Sequence, residues 1–337
     1  MTQKIKIRDS LYILKDSEGN YIFISTSTRR IKKFQVDSLV RDTLEMLDLE
    51  KDEECLKGEL SLRYNPLDVQ DCLQALEREG IVRKYDSNTK IPQRHLKQVL
   101  FLDELTSSQE ETLELQRKIE NSKVAVFGVG GIGTWIVNGL SQIGVGEIRI
   151  TDPDIIDETN LNRQLFFDSR DIGKFKVDVI KEKLREVNIV AFKKRVEPQQ
   201  DLEEIVGGCN FLVNCADSPS VVETTRIINS YASKNKIPYC VAGGYNLHLG
   251  MVGPIIVPGV TKNFDEFIEY QKKNDPLKDL ERIRDIKQTG NLGPIAGAIA
   301  NIQVMEIFKY LIGKGRINFN RFAEIDFMDL SVSWREF

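Results

Sequence analysis

Apolar and polar positions follow two different rhythms along the chain. Up to about residue 90, short apolar runs stand between turn residues: Leu11 to Leu14, a turn at Asp16 to Asn20, Tyr21 to Ile24, and Ile31 to Val36. Such runs predict short strands. Asp37 then stands where it can cap a helix carrying Val40, Leu44 and Leu47 on one face. Asn65-Pro66 opens another with Val69, Leu73 and Leu76, stopped by Gly80. Ile81 to Tyr85 reads as a further strand, and polar Asp86 to Pro92 as a linker. The pattern predicts a small α+β domain over 1–90 and a second domain over 91–337.

From residue 123 the rhythm changes to alternating strands and helices. Strands are predicted at 123–128, 147–152, 189–196, 210–215 and 237–242, and helices at 133–143, 173–186, 200–206 and 219–234. That alternation predicts a Rossmann-like, mostly parallel sheet with helices on both faces. Further strands are expected near 249–257, then a polar, charged stretch from Lys262 to Gln288 and a long apolar helix from Pro294 to Ile312.

The turn after the first of these strands carries the first chemical signal. Gly128, Gly130, Gly131 and Gly133 follow a β-branched and aromatic run, and predict a tight turn into a helix whose N-terminus attracts phosphate. About twenty residues on, Ile148 to Ile150 ends in Asp152, where a ribose-binding carboxylate is expected. A nucleotide is predicted, with NAD(P) and ATP both open.

Composition narrows the class without naming the reaction. The chain has 337 residues, 41% hydrophobic and 29% charged, with a net charge of −4. That balance favours neither nucleic acid nor an anionic membrane as partner. The N-terminus lacks a signal-peptide core, and Pro254 and Pro258 break the longest apolar stretches below spanning length, so a cytoplasmic protein is expected. The strand and helix order of the first ninety residues resembles a winged helix, but acidic residues there match the basic ones, which argues against DNA. Five scattered cysteines, no CxxC and two histidines predict neither disulfides nor zinc.

The residues after Asp152 bear on the choice of nucleotide. Asp154, Asn160, Arg163 and Gln164 come next, then Lys174 and Lys176 at the start of the following helix, and Asp217 at a later strand end. Hydride transfer needs no such cluster, whereas attack at an α-phosphate builds charge that Arg and Lys stabilise. Asp217 suits Mg²⁺. Read singly, Arg163 could pair with Asp154 or Asp157, Lys176 could be a solvated first-turn residue, and Asp217 could cap the helix after Pro219.

Together these motifs resemble those of the ThiF/MoeB/HesA family, bacterial relatives of the ubiquitin-activating enzymes. The matched elements are GxGGxG at 128–133, DxD at 152–154, NxxRQ at 160–164, GKxK at 173–176 and the Asp of NCAD at 217. The resemblance implies a homodimer that binds ATP and Mg²⁺ and adenylates a carboxylate on a small protein or peptide. It assigns Asp152 to the ribose hydroxyls, Gly130 to close approach of the phosphates, Asn160, Arg163 and Lys176 to phosphate oxygens, and Asp217 to the metal. Gly128, Gly131, Gly133, Asp154 and Gln164 complete the implied nucleotide site.

Three departures narrow the branch. The family's RxxRQ is here Arg94-His-Leu-Lys97-Gln98, so Lys97 or Arg94 is the candidate for reaching the partner subunit's nucleotide, Lys97 without the planar fork. The zinc CxxC pairs are missing, and no cysteine follows 240, so no downstream thioester is expected. Cys215, on a buried strand, reads as structural. Finally, the N-terminal domain resembles PqqD-like leader-recognition domains, in which a peptide adds a strand to the sheet edge. The tract 242–259 is similar to the MccB-like, peptide-modifying branch, in which 262–288 would be a loop over the peptide and His248 a partly buried structural residue. The resemblance thus implies adenylation of a ribosomal precursor peptide. An NAD(P)-dependent oxidoreductase, a non-catalytic leader-presenting protein and a sulfur-carrier adenylyltransferase are the alternatives.

Overall fold

The structure is a computed structural model that describes residues 3–26, 28–197, 202–281, 283–284 and 290–337. The chain divides into two compact units, Met1–Gln116 and Arg117–Phe337.

In the first unit the elements run β1 (Gln3–Ile7), β2 (Leu11–Lys15), β3 (Tyr21–Ser25), β4 (Ile31–Phe34), α1 (Ser38–Met46), β5 (Lys51–Asp52), α2 (Glu53–Ser61), α3 (Pro66–Arg78), β6 (Val82–Asp86) and α4 (Leu96–Asp103), and α5 (Gln109–Glu120) follows. Two antiparallel sheets form among the described residues, β5-β1-β6 and β2-β3-β4. The expected caps are in place: Asp37 Oδ1 accepts from the Val40 N–H at 2.8 Å, and Asn65 Oδ1 from the Leu67 N–H at 2.8 Å. Ile5, Phe23, Leu47, Leu56 and Leu73 meet in one core.

This unit runs past the linker expected at 86–92. The reason is Arg83, which is buried in β6 and donates to Asp103 Oδ1 at 2.6 and 3.0 Å, to Thr106 Oγ1 at 2.9 Å and to Thr112 Oγ1 at 3.1 Å. A buried guanidinium must be satisfied, so residues 103–112 are tied to β6.

The second unit is built on β7 (Lys123–Phe127), α6 (Gly131–Gln142), β8 (Glu147–Thr151), α7 (Lys176–Lys183), β9 (Ile189–Phe192), α8 (Glu203–Val206), β10 (Phe211–Asn214), α9 (Val221–Asn235), β11 (Tyr239–Val241), β12 (Tyr245–Asn246), β13 (Leu249–Val252) and β14 (Ile255–Ile256). After these come α10 (Phe264–Lys273), α11 (Gly293–Ile312), β15 (Arg321–Asp326) and β16 (Ser331–Glu336). The main sheet has the order β14-β11-β10-β7-β8-β9, parallel throughout except for β14. Val124 to Phe127 and Phe211 to Asn214 are buried without alternation, as strands covered on both faces must be. From β7 the chain moves outward to β8 and β9, then returns to β10 and β11 on the other side. The turns after β7 and β10 therefore flank the switch point where such sheets bind ligands.

Four expectations change here. Helix 173–186 begins only at Lys176, because residues 173–175 form a turn that bridges to Ile155 and Ile156, with the Ile156 N–H bonded to the Lys174 carbonyl at 2.9 Å. The stretch 262–288 is not simply a loop: its start is α10, where Asn263 and Glu266 form a capping box and Phe264 and Phe267 enter the core. Residues 282 and 285–288 of that stretch, and 200–201 of the helix expected at 200–206, lie outside the described residues. A four-stranded sheet, β12-β13-β15-β16, adds a C-terminal hairpin that apolar patterning did not reveal. Finally, α11 is long and apolar enough to cross a membrane, contrary to the expectation of no such stretch; Ile299, Ala300 and Ile307 are buried in the second unit, as in a core helix.

Candidate functional site

The glycine turn owes its residues to three different constraints. Gly128 has φ +84° and lies so close to the Ala216 backbone that a Cβ would stand 2.9 Å from it, so only glycine fits there. At Gly133 a Cβ would be 2.1 Å from the Gly128 carbonyl oxygen, which lets the helix start hard against the turn. Gly130 is different: its φ is −80°, and a Cβ would meet no protein atom within 4 Å. Neither its φ nor a neighbouring protein atom asks for glycine there. Gly130 also caps α6 without any side-chain hydrogen bond, so the first-turn N–H groups are free of a side-chain cap.

Asp152, at the end of β8, is 5% exposed and holds this turn. Its Oδ2 accepts from the Val129 N–H at 2.8 Å and its Oδ1 from the Asp154 N–H at 2.9 Å. Burial pushes its carboxyl above the usual range, opposed by the Lys176 ammonium and the two N–H groups. Lys176 is itself buried, its Nζ 2.9 Å from Asp154 Oδ2 and 3.9 Å from Asp152 Oδ1. It is the first residue of α7, where the helix dipole disfavours a cation. The two carboxylates offset that cost.

Asn160 is buried and accepts from the Asp157 N–H at 3.2 Å, closing the 3-10 turn that leads to Arg163. The Arg163 guanidinium donates to the Thr159 carbonyl at 2.5 Å and to Asn162 Oδ1 at 3.1 Å, so it pairs with neither Asp154 nor Asp157. Gln164 is buried, and its Oε1 has no hydrogen-bond partner among the described residues. Asp217 is exposed beyond β10; Ser220, not Asp217, caps α9, accepting from the Glu223 N–H at 3.2 Å.

One cavity of about 700 Å³ gathers these groups. Gly128, Gly130, Gly131, Asp152, Asp154, Asn160, Arg163, Gln164, Lys176 and Asp217 all line it, whereas Gly133 does not. Exposed Arg94 and Lys97 lie in the first unit, in the 3-10 turn Gln93–His95 and at the start of α4.

A model of the ThiF family matches residues 102–337. The chain belongs to the ThiF family. Among curated relatives, the adenylyltransferase and sulfurtransferase UBA4 of Saccharomyces cerevisiae is 26% identical over 247 residues, 71% of this chain and 52% of that protein. The tRNA threonylcarbamoyladenosine dehydratase of Haemophilus influenzae is 30% identical over 131 residues, 38% of this chain and 49% of that one. The chain thus spans about half the length of these two relatives. Among solved structures, PaaA matches with TM-score 0.72 at 24% identity, covering 97% of this chain and 98% of that one. Escherichia coli MccB with ATP matches with TM-score 0.73 at 20% identity, covering 99% and 96%. These two share the fold.

In this ThiF-family site, three cavity residues were given no role by sequence reasoning, Asn214 among them although it opens the NCAD motif. Tyr245 follows β11; its hydroxyl would lie 3.0 Å from a Cβ on Gly131, and the Arg163 side chain 3.6 Å from it. Arg195 lines the cavity beyond β9 and donates to Ser218 Oγ at 2.8 Å. Asn214 lies beneath the Asp217 loop: its amide donates to Thr224 and Thr225 Oγ1 at 3.0 and 2.7 Å, and its Oδ1 accepts from the Ala216 N–H at 3.0 Å. Position at a carboxyl strand end was the available signal for each.

Burial pushes the Cys215, Cys240 and Cys209 thiols up, Cys209 to about 12, and Asp52 raises that of exposed Cys55. His248 stands 3.8 Å from Asp326, its side chain 44% exposed.

Proposed function

We propose that this chain adenylates a carboxylate of a ribosomally made precursor peptide, using ATP, and passes the acyl-adenylate on without a cysteine thioester. The observation that carries the reading is the convergence, in one cavity, of an uncapped glycine turn, the Asp152 carboxylate and the cations Arg163, Lys176 and Arg195. The peptide carboxylate oxygen attacks the α-phosphorus, the bridging P–O bond to the β-phosphate breaks, and pyrophosphate leaves. Asp152 takes the ribose hydroxyls, the α6 N–H groups and Arg163 the phosphates, and Lys176 the charge that develops at the α-phosphoryl. Asp217 is the side chain that would hold Mg²⁺, which when bound neutralises phosphate charge. Cys215 is only partly exposed and desolvation raises its thiol pKa, so in this reading the activated acyl group goes to another acceptor.

The first unit, in this reading, is the PqqD-like domain that receives the leader, and the enzyme acts as a cytoplasmic homodimer, with Arg94 or Lys97 reaching the partner's nucleotide. Likeness to MccB, solved with ATP and with MccA, supports peptide and nucleotide as substrates. The relatives named UBA4 favour a second reading, activation of a sulfur-carrier protein. Hydroxylamine trapping tests the first: ATP with the candidate peptide should give a peptide hydroxamate and AMP. Hydroxamate on a small carrier protein alone would favour the second, and NADH binding without any hydroxamate would support an oxidoreductase and contradict both.

A further inference from the structure

The cavity continues past the phosphate-facing groups. Strands β8, β7, β10 and β11 are consecutive neighbours, so Asp152, Gly128, the 215–217 loop and Val241–Ala242 follow one another along the carboxyl edge of the sheet. Three strand spacings place Ala242 on the order of 14 Å from Asp152, beyond the reach of the ribose and toward the acyl side of an adenylate.

At that end the lining changes character. Every charged side chain that lines the cavity among the described residues comes from the chain between Asp152 and Asp217, the last of them on the loop next to β11, where Arg195 also reaches Ser218. Past β10 the wall is uncharged and mainly apolar, with Val241, Met251, Phe267 and Ile268, and its polar side chains are the Tyr245 hydroxyl and the Gln271 and Asn291 amides. Phe267 is 2% exposed and its ring packs against Phe322 and Phe337, with centroids at 5.3 and 4.9 Å, so the wall is rigid. Gln271 Nε2 donates to Met251 Sδ at 3.7 Å, which ties α10 to β13; the amide oxygen has no partner among the described residues.

We infer that this end of the cavity is a subsite for the side chain of the residue whose carboxylate is adenylated. It takes an uncharged side chain, aliphatic or amide, and rejects carboxylate and ammonium groups. The inference rests on the adenylation reading. An aliphatic side chain gains by leaving water there, whereas a charge would be desolvated without a counter-ion.

The test uses the full chain and stable acyl-adenylate mimics: 5′-O-sulfamoyladenosine and its leucyl, asparaginyl, aspartyl and lysyl derivatives, titrated by calorimetry. The unsubstituted compound reports the nucleotide half alone. Leucyl and asparaginyl derivatives should bind roughly tenfold or more tightly than it, while aspartyl and lysyl derivatives should gain nothing. In Gln271→Lys, with each affinity referred to the unsubstituted compound on the same variant, the aspartyl derivative should overtake the leucyl one. If the unsubstituted compound binds but the four derivatives agree within about twofold, or a charged one binds tightest to the native chain, or Gln271→Lys leaves the order unchanged, the subsite is refuted and the adenylation reading stands. If the unsubstituted compound fails to bind, both fall.

Discussion

Replacing Asn214 by alanine should loosen the loop that carries Asp217, by an amount that can be worked from its contacts. The side chain is 1% exposed and makes three hydrogen bonds, to Thr224 Oγ1, Thr225 Oγ1 and the Ala216 N–H. At about 1 kcal/mol each they are worth about 3 kcal/mol. Two corrections pull in opposite directions. Both threonine hydroxyls keep their own donor bonds, to the Ala216 and Val221 carbonyls, so their loss is small. The Ala216 N–H, by contrast, is left without its acceptor, which costs the full desolvation of that group. The expected loss is about 2 to 4 kcal/mol. Urea unfolding followed by tryptophan fluorescence measures it, because both tryptophans, Trp135 and Trp334, lie in the second unit. Asn214→Asp keeps the acceptor for Ala216 but loses the amide donor, and should also be destabilised. A loss below about 0.5 kcal/mol in Asn214→Ala would refute the clamp.

Three further outcomes are expected. Gly133→Ala drives a Cβ to within 2.1 Å of the Gly128 carbonyl and should cost about 3 kcal/mol of second-unit stability together with nucleotide binding, read by the same unfolding assay and by calorimetry. In the native state at pH 8, iodoacetamide should label exposed Cys55 and spare buried Cys209 and Cys240, as read by peptide mass spectrometry. Asp171 has its carboxyl held below its ordinary value near 3.8, first by Lys183 and, beyond the opposing desolvation, by Lys174. A depressed carboxyl stabilises the folded state above its unfolded value and loses that contribution as pH falls through the folded one, so Asp171→Asn should flatten the loss of stability below about pH 4.

Much of the fold was legible because local chemistry and tertiary structure agree. Asp37 and Asn65 announce their helices, and the uninterrupted apolar runs at 123–127 and 211–214 announce strands buried on both faces. The helix α10 was missed although Asn263, Glu266, Phe264 and Phe267 carry a capping box and an apolar face, because the charges around them dominate the stretch. The hairpin at the C-terminus was missed for a different reason: Ser331-Val332-Ser333-Trp334-Arg335 alternates only over a short run, and every residue from Ser331 to Glu336 is exposed, so the pattern marks no buried face. Of the cavity, the glycine turn and the residues through Lys176 were readable because they sit in short contiguous motifs. Arg195, Tyr245 and the α10 wall come from segments brought together only by the strand order. Likewise, nothing in the spacing of Asp154 and Lys176 gives their 2.9 Å ion pair, which exists because residues 173–175 run beside 155–156.

The central claim is a carboxylate activated at the α-phosphate of ATP. ATP–pyrophosphate exchange, with candidate precursor peptides, tests it most directly. The account predicts exchange that depends on the peptide's free carboxylate, and that disappears in Asp217→Ala while ATP binding persists. Absence of exchange with every candidate peptide, together with micromolar binding of NADH, would contradict it.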